Sequence, residues 1–239
     1  MKILAIESSS MTASAAILND NLVVAEYTLN HRKTHSQTLL PMIDEICRTS
    51  ETDINTVDYI AVSAGPGSFT GLRIGSSTGK GIGLALDKQV VSVPTLEALA
   101  YNMAGTDSIV CPIMDARRGN VYTGIYEFTY DETQEAPMNA VIHTLQEQCL
   151  ISMEELLAQL NKRGSKVVFV GDAVAMYREC LSQELQVPYI LAPAGAITPR
   201  AASVAIVGYQ YAKAGKAANA REHAPDYLRA TQAERERKS

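Results

Sequence analysis

A Gly65-Pro66-Gly67 turn directly ahead of a helical stretch is the first place where this sequence could do chemistry. N–H groups at a helix start lack backbone partners, so such a turn can hold an anion. The detailed phosphate-loop patterns do not fit. A Walker A loop places four residues between its first glycine and Gly-Lys and follows with Ser or Thr, whereas Gly75 and Gly79-Lys80 are separated by three and followed by Gly81. No Gly-x-Gly-x-x-Gly opens a helix after a strand, which argues against a dinucleotide fold. His31 and His35 have the spacing of a helical metal pair. The helix is expected to begin at Thr34, however, leaving His31 outside it and Arg32-Lys33 repelling a cation, so both histidines are read as solvated. His143 and His223 lie near no nucleophile in sequence, and nothing recommends a His-based triad.

Two further segments carry chemistry-bearing side chains. Asp115-Ala116-Arg117-Arg118-Gly119 follows an apolar strand and reads either as a solvated hairpin or as a local anion contact through the forked donors of Arg117 and Arg118. Such a contact would dock a partner or a phosphate. Pro225-Asp226-Tyr227-Leu228-Arg229 reads as a surface strap with the capacity to dock a partner.

The elements that position these groups follow from periodicity. Alternation predicts a three-strand antiparallel meander, Ile3 to Glu7, Thr12 to Leu18 and Leu22 to Leu29, turning at Asn19-Asp20-Asn21. Thr34-His35-Ser36-Gln37 has the form of a capping box and opens a helix over about 34–49, with Leu39, Ile43 and Ile46 at helical spacing and Pro41 bending it or displacing its start. A strand over 57–64, a helix over about 69–86, a strand over 90–93 and a short helix over 95–103 complete a first unit. A second unit repeats the order: strands over 109–114, 120–130 and 140–145, a helix capped by Ser152, a strand over 167–170 and a last helix over 199–214. The repetition suggests an internal duplication.

Gly71, Gly75, Gly79 and Gly83 form one stripe along the helix after Gly67. Each costs roughly 1 kcal/mol relative to alanine, so the stripe must be offset by a close approach of something else. Internal packing and a subunit interface both satisfy that requirement. Arg73, Ser76, Ser77 and Lys80 interrupt the stretch and exclude a membrane dimer.

A chain of 239 residues with 46% hydrophobic content can bury a substantial core. No stretch approaches the roughly 18 apolar residues of a membrane span, the start resembles a first strand rather than a signal peptide, and a cytosolic location is expected. Cys47, Cys111, Cys149 and Cys180 are too dispersed for a metal knuckle and are read as reduced thiols. A net charge of −5 argues against a protein that holds a polyanion by its global field.

Ile3-Leu4-Ala5-Ile6-Glu7-Ser8-Ser9, Gly65-Pro66-Gly67-Ser68-Phe69-Thr70-Gly71-Leu72-Arg73-Ile74-Gly75, Asp115 to Gly119 and Pro225-x-Tyr227-Leu228-Arg229 together resemble the TsaB family, also called YeaZ, in order and spacing over nearly the whole chain. The resemblance implies an α/β fold of the actin/Hsp70/sugar-kinase-like (ASKHA) class, with duplicated subdomains over 1–104 and 105–215 and a strap and tail over 216–239. It implies a non-catalytic scaffold that works with TsaD, which transfers threonylcarbamoyl to N6 of adenosine 37 in tRNAs reading codons that begin with A, and with the ATPase TsaE. ATP and metal would sit on those partners, tRNA would be reached through the complex, and the chain alone would pair with itself. The family's helical interface corresponds to Leu39, Leu40, Ile43, Ile46 and Cys47 with Gly71, Ile74, Gly75, Ser76 and Gly79, which tips the glycine stripe toward an interface.

Departures from catalytic relatives support a scaffold. The TsaD metal-binding H-x-x-x-H falls where this chain has Thr95-Leu96-Glu97-Ala98-Leu99, and the Asp-x-Gly-Thr of ATP-binding fold relatives is Glu7-Ser8-Ser9-Ser10 here. Glu7, Ser8, Ser10 and Asp115 are the remaining candidates for a nucleotide cleft, and Arg117, Arg118 and Arg229 for docking or tRNA contact. The competing functions are a free-standing ATPase or small-molecule kinase, which needs that cleft, and a glycoprotease-like peptidase, which needs a nucleophile or metal that the sequence does not offer.

Overall fold

The computed structural model describes residues 1–31, 34–131 and 139–228. The first unit runs β1 (Lys2–Glu7), β2 (Thr12–Asn19), β3 (Leu22–Asn30), α1 (His35–Thr49), β4 (Tyr59–Gly65), α2 (Phe69–Ala85), β5 (Gln89–Pro94) and α3 (Thr95–Tyr101). The second repeats it as β6 (Ile109–Asp115), β7 (Asn120–Tyr130), β8 (Ala140–Ser152), α4 (Met153–Arg163), β9 (Val167–Val170), α5 (Val174–Glu184), β10 (Tyr189–Leu191) and α6 (Ala201–Lys213), and a short β11 (Ala217–Ala218) follows. The sheets have strand orders β11-β5-β4-β1-β2-β3 and β10-β9-β6-β7-β8. In each, a three-strand antiparallel meander leads and the next two strands join in parallel. Apart from β11 the two orders correspond strand for strand, which is a duplicated α/β arrangement.

Residue alternation along β1 sends Leu4 and Ile6 to one face, against Leu39, Ile43 and Ile46 of α1, and Ile3 and Ala5 to the other, against Val204, Ala205 and Val207 of α6. The last helix of each repeat thus crosses to the other repeat. Leu96, Leu99 and Ala100 of α3 pack with Val110, Met114 and Val170 of the second sheet, while α6 lies on the first. The reason is local. The first N–H groups of α6 are satisfied by the first sheet, Ala201 donating to Ser14 Oγ at 3.0 Å and Ala202 to Glu26 Oε1 at 2.9 Å, and Gly208 lets α6 approach Ala61 of β4. The boundaries 1–104 and 105–215 thus follow the repeat along the chain, and the last helix, whose place the sequence leaves open, lies on the first sheet.

Other expectations change in detail. Thr34 makes no side-chain cap, and the turn is closed instead by Gln37 N–H donating to the Thr34 carbonyl at 3.0 Å, so the capping box is not formed. Pro41 sits inside a helix that still starts at His35. Ser152 does cap α4, its Oγ accepting from Glu155 N–H. β8 extends to Ser152, beyond the expected end at 145, and α5 and β10 were not anticipated. All four cysteines are free thiols.

Candidate functional site

The main cavity, about 720 Å³, lies between the β1–β2 hairpin, the start of α2, the β6–β7 turn and the segment around Tyr227. That volume would admit a nucleotide-sized ligand. Ser10 and Asp115 line it, but Glu7 and Ser8 do not. Glu7 is fully buried: one carboxylate oxygen accepts from Ser9 N–H at 2.6 Å and Ser9 Oγ at 2.5 Å, and the other from Ser63 Oγ. Burial pushes its carboxyl up from the ordinary range, and the bonds from Ser63 and Ser9 offset part of that rise.

The hairpin is thereby tied to the protein at several points. Ser9 N–H serves Glu7, Thr12 N–H serves Ser10 Oγ, and the Ser9 carbonyl accepts Ser68 N–H at 2.6 Å just ahead of α2. Ser8 Oγ donates to the Gly71 carbonyl at 2.9 Å. His35, expected in solvent, pins the same hairpin through Nε2 to the Ser10 carbonyl at 2.8 Å, and its Nδ1 is buried without a partner. His31 lines the cavity wall.

The turn from Asp115 to Gly119 is a hairpin whose Arg117, Arg118 and Gly119 take φ of 67°, 58° and 73°. Asp115 holds it by accepting Arg117 N–H at 2.8 Å, and the Arg117 side chain, 85% exposed, lies 3.5 Å from the same carboxylate. So exposed an ion pair contributes little to stability. Asp172, after β9, was not foreseen: its Oδ1 accepts Asp115 N–H at 3.2 Å, and both carboxylates line the cleft. The signal that could have found it is Gly171, with φ of 119°, ending β9 as Gly65 with φ of 126° ends β4.

The glycine stripe faces inward. A Cβ at Gly71 or Gly75 would overlap Ser8, one at Gly79 would overlap Val62, and one at Gly83 would lie 2.9 Å from Ala220 Cβ. Ser76 is 5% exposed, and Leu39, Ile43 and Ile46 are 1–3% exposed within the protein's own core. Seven of the expected interface residues, Gly71, Gly75, Gly79, Ser76, Leu39, Ile43 and Ile46, are thus buried in the protein's own packing, where they bring α1 and α2 onto the sheet. Leu40, 56% exposed, and Leu84, 50% exposed, stand on the outer face, while Cys47 and Ile74 are partly exposed and also pack on the core beneath, Ile74 lining the cavity as well.

The segment expected to form a strap is described through Leu228, while Arg229 lies outside the described residues. Ala217 and Ala218 pair with β5, and Asp226 N–H donates to the Ala64 carbonyl at 2.6 Å. His223 is 3% exposed, its Nδ1 bonded to Ser92 Oγ at 2.7 Å. Tyr227 stacks on Phe69 at 4.8 Å between ring centroids.

In the segment that corresponds to the expected metal-binding histidines of the TsaD-like paralogue, Leu96 and Leu99 are fully buried in the core and Thr95 Oγ1 accepts Gly65 N–H at 3.1 Å. Among the described residues no three His, Cys, Asp or Glu side chains gather as a metal site, and no helix is long and apolar enough to cross a membrane.

Residues 23–237 match the family model described as TsaD: tRNA N6-adenosine threonylcarbamoyltransferase. A protein of Bacillus subtilis named tRNA threonylcarbamoyladenosine biosynthesis protein TsaB is 31% identical over 98% of this chain and 96% of its own length. Its namesake in Escherichia coli is 29% identical over 96% and 95%. The structure of YeaZ from Pseudomonas aeruginosa shares the fold, with a TM-score of 0.77 at 23% identity over 95% of this chain and 99% of that one. By sequence along nearly its full length, and in a fold that matches, the chain belongs to the TsaB (YeaZ) family.

Proposed function

We propose that this chain is a non-catalytic subunit in the N6-threonylcarbamoylation of adenosine 37 in tRNA, keeping a TsaD-like paralogue competent alongside a TsaE-like ATPase. The observation that carries the reading is the β1–β2 hairpin, whose Ser9 and Thr12 N–H groups are taken by Glu7 and Ser10 and whose Ser9 carbonyl is bonded to Ser68 N–H. A kinase or ATPase of this fold class would need those donors free for phosphate. The family membership supplies the pathway. ATP and metal belong on the partner subunits, tRNA is reached through the complex, and the work is done in the cytoplasm. The outer face of α1 and α2, with Leu40, Cys47, Ile74 and Leu84, is the partner surface, and without its partner the chain pairs with itself through the same face.

The test is an isothermal titration of the isolated chain with ATP and magnesium, beside sedimentation of the chain with its cognate TsaD-like paralogue. Heterodimer formation without nucleotide binding or turnover is expected. Tight nucleotide binding with turnover by the isolated chain would return the kinase reading.

A further inference from the structure

Helix α2 shows its outward face at Thr70, Arg73, Ser77, Gly81 and Leu84, spaced three and four apart, with Ile74 beside them. Arg73 is the one cation on that face whose position is set by a built cluster. Its guanidinium lies 3.9 Å above the Phe69 ring centroid, its Nε donates to Tyr227 Oη at 3.3 Å, and Tyr227 packs on Phe69. Among the described residues no carboxylate lies within ion-pair distance of it. A guanidinium stacked on a ring and held at Nε loses little further freedom when its two terminal NH2 groups take a ligand, and they present the fork that fits a carboxylate.

We propose that Arg73, clamped between Phe69 and Tyr227, is the polar anchor of the partner surface, receiving a carboxylate from the partner protein. The inference rests on the partner reading above and extends it: the C-terminal strap, through Tyr227, belongs to the interface together with α1 and α2. A protein carboxylate is favoured over an RNA phosphate for two reasons. Arg73 shares its helix face with Leu84, a half-exposed apolar side chain that suits protein, and the chain carries a net charge of −5, whereas RNA binding calls for several cations acting together. Gly81 agrees with a close approach on this face. Unlike the inward glycines, it would meet nothing within 4 Å if it carried a methyl group.

The test measures affinity for the cognate TsaD-like paralogue as a function of salt for the wild type, Arg73→Gln and Tyr227→Phe, with thermal unfolding as the check on fold. Arg73→Gln is expected to weaken binding about 10- to 100-fold and to flatten its salt dependence, as loss of a charged hydrogen bond requires. Tyr227→Phe, which keeps the stack and removes the hydroxyl, is expected to weaken binding a few-fold with the salt dependence retained. Binding by Arg73→Gln within twofold of wild type overturns the proposal. So does unchanged assembly with weakened tRNA binding by the complex, which would make Arg73 a phosphate contact. Failure of the wild type itself to bind would remove the scaffold reading and the anchor with it, an outcome distinct from failure of the variants alone.

Discussion

The strap carries a titratable latch whose effect on stability can be worked out. His223 is 3% exposed, bonded through Nδ1 to Ser92, and its Nε2 is buried without a partner. Burial, with the Lys80 ammonium nearby, pushes its pKa down from 6.5 to about 4. Lys80 itself reaches the Arg221 carbonyl at 3.0 Å, so the charge facing His223 is held by the strap. The released chain therefore binds the proton more readily than the folded one. Stability is full above about pH 6.5, falls as the pH drops, and stops falling through this group below about pH 4. At about pH 5 the loss is about 2 kcal/mol.

Urea unfolding of the wild type and of His223→Asn, at about pH 7.5 and about pH 5, reads this directly. Asparagine can keep a bond to Ser92 but cannot titrate. Carboxylates such as Glu7 and Glu97 contribute their own pH dependence equally to both proteins, so the difference between them isolates His223. The wild type should lose about 2 kcal/mol more than the variant on acidification. Equal losses would refute the buried, neutral imidazole and with it the view that the strap is firmly seated.

Two contrasts test the packing of α1 and α2. Gly81→Ala should raise stability by about 0.5–1 kcal/mol in thermal unfolding, because its site is open, whereas Gly71→Ala should lower it by several kcal/mol because the methyl meets the Ser8 backbone. Ile43→Asp buries a charge in the core and should unfold the protein, seen as loss of cooperative melting, whereas Leu40→Asp on the outer face should melt within about 1 kcal/mol of wild type and lose partner binding.

Much of this architecture was legible because period and fold agree. β1 and β2 read as near-continuous apolar runs because both faces of the first sheet are covered by helices. β8 runs past the expected end at 145 through Gln146, Glu147 and Gln148, polar residues that an edge strand accepts. α5 escaped because it buries only Val174 and Leu181, too few to set a helical period. The glycine stripe announced a close approach without saying from which side, and Ser8, Val62 and Ala220 supply the answer from regions far away in sequence. The site residues show the same limit. Glu7 and Ser8 were read as facing a cleft because fold relatives use that hairpin, but the Glu7–Ser63 bond, 56 residues apart in sequence, turns the carboxylate inward. Arg73 and Tyr227, 154 residues apart, meet only in the folded chain.

The central claim is that this protein acts through the outer face of α1 and α2 and not through its cleft. One measurement separates the two: threonylcarbamoyl-adenosine formation on tRNA in a system reconstituted with the cognate TsaD-like and TsaE-like proteins and the donor-synthesising enzyme. Leu40→Asp, altering a side chain 56% exposed on α1, would be compared with Met11→Trp, which puts bulk at a cavity-lining position 60% exposed. Leu40→Asp should abolish modification as completely as omitting the chain, while Met11→Trp should support it at the wild-type rate. Full activity of Leu40→Asp with loss of activity in Met11→Trp would contradict the claim and return the function to the cleft.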